Sequence, residues 1–154
     1  MGIEQWKSLA PKKENKISEE SARAEMGRLM AYYETDLDDS TPEQETAINQ
    51  IMSRILSAFM QGRLELSEDK EGELSIIQHV KKEKNKEKDT DKITFRALRG
   101  GDKTKLENAG TDPTKRMHYL MGVLSGYGPD VIAKLSAGDL RVTEALAGFF
   151  LVLA

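Results

Sequence analysis

The sequence predicts an α+β fold that is mostly helical, with an N-terminal helical hairpin, a small antiparallel β-hairpin or three-stranded meander, and a C-terminal helical bundle. Three observations carry that prediction. Apolar residues recur at helical spacing in the first third of the chain and again after Asp112. Between Leu64 and Leu98 the period changes from helical to alternating. The last alternating run, Ile93-Thr94-Phe95-Arg96-Ala97-Leu98, is broken by Arg99-Gly100-Gly101-Asp102, a strand-to-helix switch that leads into the least charged part of the chain. The core is expected there, with Leu120, Leu124, Ile132, Leu146 and Phe150 buried together on the matching faces of successive helices.

Residues 1–17 read as a flexible arm and residues 18–154 as a single domain, divided into a helical hairpin (18–62), a β-meander (63–98) and a helical subdomain (99–154). The arm carries Trp6, Pro11 and four lysines without sustained periodicity. Ser18 is an N-cap signal followed by Glu19 and Glu20, and Ala22, Met26, Leu29, Met30 and Tyr33 then share one helical face. The acidic loop Asp36-Leu37-Asp38-Asp39-Ser40 follows. It is not a calcium loop, because Thr41 stands where the glycine belongs and Ala47 where the bidentate glutamate belongs. Thr41-Pro42-Glu43-Gln44 combines a capping box with proline at the first helical position, and Ile48, Ile51, Met52, Ile55, Leu56 and Phe59 continue to a stop at Gly62.

Leu64 and Leu66 then share one face of a short strand, Glu68 to Gly72 makes a turn, and Leu74 and Ile76, with Gln78 as a further candidate, return on a second strand. Lys81 to Lys92 holds almost nothing apolar and reads as a solvated connector to the third strand. Asp102 is expected to cap a short helix through Leu106, and Asp112-Pro113 opens a helix running to about Ser125. A short turn of helix holds Val131, Ile132 and Leu135, and Ser136 or Asp139 caps the last helix. That helix becomes apolar almost all round toward its end, so it is either the central helix of its own bundle or a helix that wants a partner or self-association.

Composition narrows the function. The chain has no cysteine, which removes disulfides and thiolate metal sites. A net charge of −3 gives no global attraction to nucleic acid or to an anionic membrane. The longest uncharged run, Ala145 to Ala154, is about half of a membrane span. With no signal-peptide pattern before Lys16, a cytoplasmic location is expected. No catalytic, cofactor-binding or metal-binding residue is assigned. His79 and His118 have no ligand partner in their own elements, Gly100-Gly101 lies outside any Walker spacing, and the lysine run Lys81 to Lys88 is diluted by glutamates and lacks an aromatic on which a base could stack.

Taken together, Ile93 to Asp102, then Met117 through Leu124-Ser125-Gly126, then Leu135 and Asp139-Leu140 before Phe149-Phe150-Leu151, resemble the C-terminal pattern of bacteriophage tail assembly chaperones. The helix ending at Gly62 before the Arg63-Leu64-Glu65-Leu66 strand resembles some members too, so that the match covers about residues 48–153. The family pattern has a proline after the strand that this chain lacks. The resemblance implies a non-enzymatic protein of the host-cell cytoplasm that coats the hydrophobic tape-measure protein and hands it to polymerising tail-tube subunits. Phe149, Leu151 and Leu153 are then the expected partner-binding anchors, at alternate positions near the end of the last helix. Two other classes stay open: a structural tail-completion or connector subunit that remains in the particle, and a small nucleic-acid-binding regulator presenting Lys115, Arg116 and Arg141 on a common face.

Overall fold

The computed structural model describes residues 2–11, 14–77 and 92–154. The first element, helix α1 (Ile3–Leu9), buries none of its residues. Helix α2 (Glu19–Tyr32) starts where Ser18 accepts the Ser21 amide, and helix α3 (Pro42–Met60) starts in a complete capping box between Thr41 and Gln44. Each thus satisfies amides that its first turn leaves without helical partners. Ala22, Met26 and Leu29 of α2 face Ile55, Ala58 and Phe59 of α3 in the core, and the two helices pack as the expected hairpin.

Strands β1 (Leu64–Leu66), β2 (Leu74–Ile77) and β3 (Lys92–Phe95) form the antiparallel meander in the order β1-β2-β3. The register places Leu64 opposite Ile76, Leu66 opposite Leu74, and those two β2 residues opposite Ile93 and Phe95. All six therefore lie on one face of the sheet. On the other face the hydroxyls of Ser75 and Thr94 meet at 2.9 Å. Gln78, His79 and the connector from Lys81 as far as residue 91 lie outside the described residues.

The third strand is shorter than its alternation predicts. Phe95 pairs with Leu74, the first residue of β2, so beyond it no neighbouring strand among the described residues remains to accept the ladder. The chain then turns to other partners, with the Arg96 amide donating to Leu124 O and the Leu98 amide to Tyr33 Oη.

Helix α4 (Gly100–Lys105) continues into a 3₁₀ turn, Leu106–Ala109. Asp102 is not its N-cap: it sits one turn inside, and its carboxylate reaches back to the Arg99 amide. Helix α5 (Pro113–Ser125) is capped by Asp112 and ends at Gly126 in the left-handed conformation, φ 78°. Glycine takes that geometry at no steric cost. Helix α6 (Pro129–Ala133) folds back against α5, and Gly122 makes that approach possible. A Cβ at Gly122 would stand 2.5 Å from the Gly128 carbonyl carbon and 2.6 Å from the Pro129 nitrogen, both backbone atoms that cannot swing aside. Gly122→Ala is expected to push α6 off α5 and to lower stability by about 1–3 kcal/mol, read as a lower denaturant midpoint.

Helix α7 (Ala137–Val152), capped by Ser136, packs on α3, α5 and β2. Val142, Thr143, Ala145, Leu146, Ala147, Phe149 and Phe150 are all buried along it, which makes α7 the central helix of the protein's own bundle. Leu120, Leu124, Ile132, Leu146 and Phe150 are buried in one continuous core, as their spacing predicts. That core also takes in the α2–α3 hairpin and the sheet, so the three blocks read from the sequence share one interior.

Candidate functional site

The structure changes the expected anchor set at the end of α7. Phe149 is 0% exposed and is a core residue, not a surface anchor. Its ring meets Tyr33 edge-on at 5.8 Å and Phe150 at 5.9 Å, and Tyr33 closes the triangle with Phe150 at 5.6 Å. The reason lies in α2 and in the turn between β1 and β2. Tyr33 stands at the end of α2, with its hydroxyl donating to Gly72 O at 3.1 Å and accepting from the Leu98 amide at 3.0 Å, so its ring is held over the side of α7 that carries Phe149. Burial raises the Tyr33 hydroxyl above its ordinary pKa, opposed by the Leu98 hydrogen bond. Sequence spacing offered no sign of that role, because Gly72, Leu98, Phe149 and Phe150 all lie far along the chain from Tyr33.

Leu151 and Leu153 are half-buried and packed against the core. The residue between them, Val152, is 60% exposed. Tyr127 and Val131, at the corner between α5 and α6, are also exposed. Val152 therefore replaces Phe149 as the most accessible apolar side chain at the end of α7.

A second feature is an open groove between α3 and α7, about 480 Å³ in volume, floored by Ala58 and Val142. Its walls carry Arg54, Arg63 and Arg141 among amide and hydroxyl side chains, and among the described residues no carboxylate lines it. Arg63 is anchored by Asp139, which accepts from Nη2 at 2.8 Å while the Asp139 amide donates to the Ser136 cap. Asp139 is buried, so the pair fixes the first turn of α7 against the residue that opens β1. Gly138 leaves room for the guanidinium, since a Cβ there would stand 2.7 Å from Arg63 Nη2. The groove suits an anionic group, which guanidinium forks bind bidentately.

The basic face expected of a nucleic-acid regulator is not assembled in this groove. Arg141 lines it, but Lys115 and Arg116 do not, and Arg116 donates to Gly110 O at the start of α5. His118 is half-buried on α5, and its Nε2 has no hydrogen-bond partner among the described residues. Among the described residues no group of three or more His, Asp or Glu side chains is placed to hold a metal ion. Among the same residues, no helix is long and apolar enough to cross a membrane. The chain matches no protein-family model, no curated protein and no solved structure.

Proposed function

We propose that this protein is a non-enzymatic phage tail assembly chaperone that binds the tape-measure protein and assists tail-tube polymerisation. The observation that supports it is apolar surface left uncovered on the unit that carries the resemblance: Val152 between half-buried Leu151 and Leu153 at the end of α7, and Tyr127 and Val131 at the α5–α6 corner. A long partner helix with an apolar stripe is held by side chains of this kind, which combine an apolar exposed tip with a fixed base in a core. The α3–α7 groove adds guanidinium groups able to take carboxylates from the polar side of such a helix.

The test is co-expression with the tape-measure protein of the same phage, read as soluble partner recovered. The wild type should keep the partner in solution. Val152→Glu should reduce recovery about ten-fold or more, because a carboxylate would have to be buried against the partner's apolar stripe. The same variant should keep its denaturant midpoint to within about 0.5 kcal/mol, since the position is surface. If the wild type leaves the partner insoluble, the chaperone reading is wrong. Finding the chain in purified particles would favour a structural tail subunit.

A further inference from the structure

The arm read from the sequence as flexible contains a helix with an apolar stripe. Ile3, Trp6 and Leu9 lie at three-residue spacing on α1 and are 67%, 54% and 71% exposed. That spacing keeps all three within one side of the helix. The polar residues of α1 are occupied within the arm: Gln5 accepts the Gly2 amide, Ser8 donates to Gln5 O, and Lys7 reaches Glu4 at 3.4 Å. The apolar stripe has no such partner, because no residue of α1 is buried.

An apolar cleft of about 420 Å³ lies elsewhere on the domain, between the loop after α2 and the first half of α3. Leu37, Ile48 and Met52 supply its apolar lining and Glu45 stands at its edge. The two features are also opposite in charge. The arm holds four lysines, Lys7, Lys12, Lys13 and Lys16, against two glutamates, whereas Glu34 to Glu45 holds six acids and no base.

We propose that the α1 arm of one copy seats in the Leu37–Ile48–Met52 cleft of a second copy, Trp6 entering the cleft and the arm's lysines facing the acids around it. Methionine adapts to the shape of an inserted ring, and opposite charge steers the encounter. The arm is not seated in the cleft of its own domain: no residue of α1 lines that cleft and none is buried. One seven-residue helix is small beside the roughly 1,200–2,000 Å² of a stable interface, so the association is concentration-dependent and not permanent.

Trp6 is the single tryptophan of the chain, so its fluorescence reports this contact directly. The full-length protein is followed over a dilution series by tryptophan emission, with sedimentation velocity at the same concentrations. The expected result is an emission maximum that moves to the blue as concentration rises, in step with an increase in mass, and both weaken as salt is added. Leu37→Lys, at the exposed rim of the cleft, should raise the apparent dissociation constant about ten-fold or more and leave the circular dichroism unchanged; Met52→Glu is the second variant. Three results would each overturn the proposal. Blue emission at every concentration places the arm on its own domain. Red emission at every concentration leaves it unseated. Self-association undiminished in both variants assigns the interface to another surface.

Discussion

Phe149→Ala is expected to lower stability by about 3–5 kcal/mol, a large part of the roughly 5–15 kcal/mol that a domain has. The ring is wholly buried and makes edge-to-face contacts with Tyr33 and Phe150, so its removal loses the transfer energy of the ring and leaves a cavity between α2 and α7. The surrounding residues cannot collapse into that space, because Tyr33 is pinned through its hydroxyl to both Gly72 and Leu98. The measurement is a urea titration, with a lower midpoint and an unchanged slope. Phe149→Glu should fail to fold, since an isolated carboxylate would enter a dry interior. A soluble, stable Phe149→Glu protein would show that the ring faces outward and restore it as a partner anchor. Comparison with Val152→Glu, one turn on and exposed, separates loss of fold from loss of binding.

Arg96→Ala is expected to cost about 3–5 kcal/mol at neutral pH, because it strands a buried charge. Asp102 is 4% exposed, and its two carboxylate oxygens accept from Arg96 Nη1 at 2.8 Å and Nη2 at 2.7 Å, while the Arg99 amide donates to it at 2.8 Å. Arg96 itself keeps 36% of its side chain in water, which puts the loss toward the lower end of that range. The bidentate Arg96 hydrogen bonds, opposed by burial and helped by the Arg99 amide, hold the Asp102 carboxyl below the usual carboxylate range. A folded pKa below the unfolded value of about 3.9 means that the contribution is complete above that value. It is lost as pH falls below about 4 through the lower folded pKa. Wild-type and Asp102→Asn proteins should therefore differ in thermal midpoint at pH 7 and converge on acidification. Arg96→Ala should also recover part of its deficit in acid, because a protonated Asp102 no longer needs a cation. A difference between wild type and Asp102→Asn that stays constant from pH 7 to pH 3 would show that the pair contributes shape and not charge.

The sequence by itself determined the features governed by neighbours within about four residues. The caps at Ser18, Thr41 and Asp112, the stop at Gly126, and the change of period that sets the three strands all depend on local backbone amides and local side-chain spacing, whereas of the two candidates for the last cap, Ser136 and Asp139, the structure chose Ser136. The apolar faces followed for the same reason, so the core set from Leu120 to Phe150 was legible. Asp102 and Asp139 show where that reach ends. Both are acids in a first helical turn, which local rules describe as caps. Asp102 does reach back to the Arg99 amide, but the charged partners of the two carboxylates are Arg96, six residues away, and Arg63, seventy-six residues away. Only the tertiary structure decided which side of α7 is surface. A helix apolar nearly all round carries no periodic signal of its exposed side, and the choice fell to Tyr33, brought over Phe149 by hydrogen bonds to Gly72 and Leu98. The candidate anchors therefore moved from Phe149 to Val152, because burial is set by whatever packs against a residue, and that partner is distant in the chain.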